Sequence, residues 1–149
     1  MKTGKTYAHY TEWLSVDQMH EASKEWLSEL QFVRDEHRFF EDLITTFTSQ
    51  LIALDTFSDN KEIIDAINRS HKQNNTLIEA VKTHENELQI MVDGINQLDR
   101  EKAYAKEHRD LIHTISDFLK HYKSLKSQLF DIIKTIKKEE KQRHLIDKK

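Results

Sequence analysis

Apolar residues recur along this chain at alternating steps of three and four, the period that keeps one stripe of an α-helix against a partner. The first run starts at Val16 and Met19, passes Trp26, Leu30, Val33, His37, Phe40 and Ile44, and ends at Leu51 and Leu54. Ser15 and Gln18 have the spacing of a capping box before it, with Leu14 and Met19 as the flanking hydrophobic pair. The spacing therefore predicts a first helix over 15–54, roughly 60 Å long at the α-helical rise.

Asp55-Thr56-Phe57-Ser58-Asp59-Asn60 is the clearest turn signal, and Asp59 with Glu62 repeats the capping spacing. A second helix is expected over 59–98, its stripe running from Ile63 and Ile67 through Ser70, Asn74, Leu77, Val81, His84 and Leu88 to Met91. Its middle, 68–76, holds no aliphatic side chain, which makes it the weakest helical stretch and the expected site of a kink. A buried Asn74 would fix register at some cost in stability; the alternative is that Ser70 and Asn74 face the surface.

The stripe slips phase between Leu98 and Tyr104, so a turn is expected near 94–100, at Asp93-Gly94 or with Asp99 as a cap. Failing a turn there, one continuous helix would have to pair between chains. The third helix, over 100–146, follows Tyr104, His108, Leu111, Ile115, Phe118, Tyr122, Leu125, Leu129, Ile132 and Ile136.

The expected fold is thus all-α, one domain over 1–149: an elongated antiparallel bundle of three long helices. Residues 1–14 lead in and 137–149 form a fraying basic end. The composition agrees: 149 residues contain no Pro and 2 Gly, so little interrupts helical backbone.

Charge and residue usage narrow the function. With no Cys, disulfides and thiolate metal sites are excluded. The opening MKTGKTYAHYTEW has no apolar centre for a secretory signal, and no stretch approaches about 18 apolar residues. A cytoplasmic protein without a membrane span is expected. Net charge is -3 but uneven: Lys120 to Lys149 carries ten Lys or Arg against four Asp or Glu. Interspersed acids, the missing aromatic platform and the pI of about 6.3 argue against a nucleic-acid partner.

Nine histidines are many, and His37, His84 and His108 take stripe positions, one on each helix. With the second turn near 94 they would meet, and His37, Glu41, His84 and His108 then make a candidate zinc or iron site. The spacing His37-x-x-x-Glu41 is similar to one element of the iron site of the hemerythrin family. The His-x-x-x-His which that site also needs is absent, so no function is carried over. Satisfied core histidines are the plainer reading, and no cofactor is expected. Asp110, His113, Asp117 and His121 line another face of the third helix, most simply as a solvated stripe.

Phe32, Phe39 and Leu43 lie well off the stripe, so either the first helix has a wide core face or a partner covers these residues. The chain has no nucleophile elbow and no phosphate-cradling Gly-rich loop. It reads as a non-catalytic protein acting through protein–protein contacts, with a homo-oligomer, most simply a dimer, in first place.

Overall fold

The computed structural model describes residues 15–93 and 98–147. Four helices follow one another: α1 (Val16–Thr46), α2 (Thr48–Ala53), α3 (Phe57–Asp93) and α4 (Leu98–Asp147). Among the described residues there is no strand, and no helix is long and apolar enough to cross a membrane.

The start of α1 forms as its sequence dictates. The Gln18 N–H donates to Ser15 Oγ at 3.1 Å, and the Ser15 N–H donates to Gln18 Oε1 at 2.9 Å. Two otherwise orphaned donors of the first turn are satisfied reciprocally. Leu14, the outer half of the expected apolar flank, lies outside the described residues. Ser15→Ala should lower stability by about 1 kcal/mol, read as a lower urea midpoint with an unchanged denaturant slope.

Three expectations are corrected. The first helix does not run unbroken to 54: it is interrupted at Phe47, which has φ -103° and ψ 18°. Phe47 N–H still reaches Leu43 O at 3.0 Å and Leu51 N–H reaches Phe47 O at 2.9 Å, so the interruption is slight. Threonines stand on both sides of it. Thr46 Oγ1 donates to Asp42 O at 2.8 Å and Thr48 Oγ1 donates to Ile44 O at 2.9 Å, bonds that compete mildly for helix carbonyls and that α4 also carries, at Thr114 and Thr135, without a break.

The second helix begins at Phe57 rather than Asp59. The Asn60 N–H donates to Thr56 O at 2.9 Å, which makes Thr56 the residue before the first turn, and Asn60 Nδ2 ties its hydroxyl at 3.0 Å. Asp59 sits inside that first turn, where its charge still complements the helix dipole. On the last helix Ile133 is buried and Ile132 only partly so, because the stripe steps by four after Leu129.

The polar middle of α3 does not break the helix, and Ser70 and Asn74 are both buried. The connection between α3 and α4 falls at residues 94–97, outside the described residues, and α4 begins at Leu98 with Asp99 in its first turn.

Packing gathers into two units. The first comprises Met1–Val33 and Asn74–Phe118; the second comprises Arg34–Gln73 and Leu119–Lys149. Within the first, His20 faces Glu85, and Asn74 Nδ2 donates to Leu30 O at 2.8 Å, so α1 and α3 are antiparallel there. Met19, Leu88, Met91 and Tyr104 close one core cluster of this unit. Within the second, the His37 ring meets Ser70 Oγ at 3.2 Å and His71 meets Glu41 at 2.8 Å, again antiparallel. There α1 and α4 run in the same direction, with Glu36 against Tyr122 and Phe40 against Phe130.

Candidate functional site

In the first unit the stripe positions of α3 and α4 bring His84 and His108 together, both fully buried, with His84 Nε2 2.9 Å from His108 Nδ1. Aromatic faces hold them. Tyr104 stacks on His84 with centroids 4.0 Å apart and planes 4° from parallel, while Trp26 lies 4.6 Å from His108. Such contacts fix ring orientation and exclude water.

Burial costs an imidazolium its hydration, and this pushes both histidines down. His108 falls to about 4, with a smaller contribution from His84. His84 is lowered by burial, partly offset by the carboxylates of Glu87 and Glu85. Both rings are therefore neutral at pH 7, the form that can offer a lone pair.

The single hydrogen between His84 Nε2 and His108 Nδ1 ties up one nitrogen of each ring. His84 Nδ1 and His108 Nε2 are buried and make no hydrogen bond. His84 Nδ1 points toward Glu107, whose Oε1 is 3.5 Å away. Glu87, one turn after His84 on α3, is drawn to the same place. Its carboxyl is pushed up by desolvation and then by its hydrogen bond with Glu107. Ligand atoms of His84, Glu87 and Glu107 all lie within 4.8 Å of one another. Beside the two carboxylates opens a cleft of about 290 Å³, lined also by Ile90, Met91, Arg100 and Tyr104. The Tyr104 hydroxyl is held well above its ordinary range, first by burial and then by Glu85, Glu107 and Glu87.

The expected ligand set is distributed differently. His84 and His108 meet in the first unit. His37 and Glu41 belong to the second, where His71 links them: its ring stacks on His37 at 5.1 Å and its Nδ1 bonds Glu41. Tyr122 covers the other side of His37 at 5.0 Å and donates to Glu36 Oε1 at 2.7 Å. Burial and that hydrogen bond raise the Tyr122 phenol. Lys126 Nζ completes the group, 2.8 Å from Glu36 Oε2.

Glu87 and Glu107 were not among the expected ligands. Each stands one residue before a stripe position, Leu88 and His108, and so reads as solvated surface. The spacing His84-x-x-Glu87, which places both side chains on one helix face, was the available signal. The second histidine group, His113 and His121 with Asp110 and Asp117, is exposed along α4.

Of the residues expected to meet a partner, Phe32 is 62% exposed and Phe39 54%, while Leu43 is half-buried. The wide-core explanation thus fails for the two phenylalanines. No protein-family model matches the sequence, and no curated protein or solved structure shows significant similarity to it.

Proposed function

We propose that this chain is a non-catalytic helical-bundle protein that acts through protein–protein contacts, and that the partner at its outer α1 face is a second copy of itself. The observation that carries this reading is the exposure of Phe39 beside half-buried Leu43, four residues on. Such rings cost free energy in water at about 25 cal/mol for each Å² of apolar surface left uncovered. Phe32, seven residues earlier on the same helix, is equally bare.

Charge favours a second copy as the occupant. Asp35 and Asp42 flank Phe39 on α1, whereas residues 120–149 carry the chain's excess of positive charge. Two copies related by a twofold axis can set each acidic, apolar face against the basic end of the other, which closes the assembly at a dimer. In this reading three long antiparallel helices form the protomer and dimerisation completes the bundle.

Light scattering at 100 μM should give a mass above 17.8 kDa, and Phe39→Glu should return it toward the monomer value with helicity retained. Raised salt should weaken the association. A monomer at that concentration, or a dimer indifferent to Phe39→Glu, would overturn the proposal.

A further inference from the structure

The first unit carries a second feature, independent of the α1 face. Three groups able to offer an electron pair converge beside the cleft: His84, Glu87 and Glu107. His84 is fully buried and its Nδ1 makes no hydrogen bond. Its Nε2 is engaged with His108, and in the neutral tautomer that donates this bond from Nε2 the lone pair lies on Nδ1. The two groups it faces, Glu87 and Glu107, are acceptors whenever they are ionised. Two carboxylates and an imidazole lone pair repel one another unless something positive sits between them.

In that tautomer a proton shared by Glu87 and Glu107 relieves part of the repulsion but leaves His84 Nδ1 without a partner. A cation satisfies all three. Around a tetrahedral ion with bonds of 2.0–2.1 Å, donor atoms stand about 3.3 Å apart. His84 Nδ1 and Glu107 Oε1 are already 3.5 Å apart. The widest pair, within 4.8 Å, closes by rotation of exposed glutamate side chains rather than of backbone.

The geometry points to a divalent transition-metal site formed by His84 Nδ1, Glu87 and Glu107. One imidazole and two carboxylates suit zinc, ferrous iron or manganese, and zinc is the ion of choice for a tetrahedral arrangement. With a metal on Nδ1 the His84 proton lies on Nε2, which then donates to His108 Nδ1 at 2.9 Å and orients the ligand ring, as the outer nitrogen of a metal-bound histidine usually requires. The adjoining cleft leaves the fourth position open to water or a small anionic ligand.

The test uses the full chain, purified without an affinity tag and dialysed against chelator. Calorimetric titration with Zn²⁺ at pH 7.5 should show one equivalent bound. Co²⁺ should give visible ligand-field bands at the same stoichiometry. Glu107→Gln and Glu87→Gln, both on exposed side chains, should keep their helical circular dichroism and each weaken binding at least tenfold. His113→Ala with His121→Ala, on the exposed stripe of α4, should leave it unchanged. Absence of stoichiometric binding, or equal affinity in the Glu87→Gln/Glu107→Gln double variant, overturns the site. Either outcome is independent of the mass measured by light scattering.

Discussion

Phe40→Ala should lower the unfolding free energy by about 3–5 kcal/mol, while Phe39→Ala, one residue away, should change it by less than about 1 kcal/mol. The two side chains are chemically identical and differ only in what covers them. Phe40 is fully buried in the second unit, edge-on to Phe130 at 5.6 Å and near His37 and Tyr122 at 6.3 and 6.2 Å. Its removal forfeits the transfer free energy of the ring and leaves a cavity bounded by other rings, which collapse poorly into the space. Phe39 is more than half in water. Urea unfolding of both variants, at concentrations low enough to keep the chain monomeric, decides the matter. Equal losses would mean that α1 is rotated from the orientation described.

Acidification should destabilise the fold between pH 6.5 and about 4. The unfolded chain protonates its histidines near 6.5, whereas burial keeps His108 neutral down to about 4. Across that window the unfolded state binds more protons, so stability rises with pH and is lost as pH falls. About one pH unit above 6.5, where the imidazoles are neutral in both states, these two groups contribute no slope. For His108 the full loss is about 3 kcal/mol, and His84, lowered for the same reason, adds to it. The groups facing the pair are Trp26 from α1, Glu85 and Glu87 from α3, and Tyr104 and Glu107 from α4. The carboxylates oppose the effect at His84 without overcoming burial. Denaturant midpoints at pH 7.5, 6, 5 and 4.5, with chelator present, should fall monotonically, and His108→Gln should flatten the curve. Stability constant from pH 7 to 5 would contradict the burial of neutral imidazoles.

The sequence pattern and the structure agree best where packing alone decides. Met19, Leu30, Val33, His37, Phe40 and Leu51 fall on the three-four spacing and all are buried. The interruption at Phe47 escaped because spacing counts side chains, and the backbone hydrogen bonds continue across it. A change of backbone angles at one residue leaves the side-chain stripe in phase, so apolar periodicity does not register it. The start at Phe57 was missed for a related reason: Asp59 with Glu62 matches a capping pattern, but Thr56 closes the turn first.

For the candidate site the stripe identified His84 and His108, and their meeting depended on where the chain reversed. His84 lies nine residues before the end of α3 and His108 ten after the start of α4, a register that composition alone could not set. Glu87 and Glu107 were invisible to the same logic because ligands at the rim of a core belong to neither face of a helix.

The small helix α2 has a consequence of its own. Its six residues prolong the hydrogen-bond ladder of α1, through Phe47 N–H to Leu43 O and Leu51 N–H to Phe47 O, and form the last turns of that ladder. Leu51 is its one buried side chain, and Gln50 Nε2 makes a 2.7 Å bond to Glu140 of α4. Residues 48–53, terminal turns held by a single buried side chain, therefore fray first while α1 before them and α3 after them stay folded. Their amides exchange with solvent through that local opening, well before the core of either unit gives way.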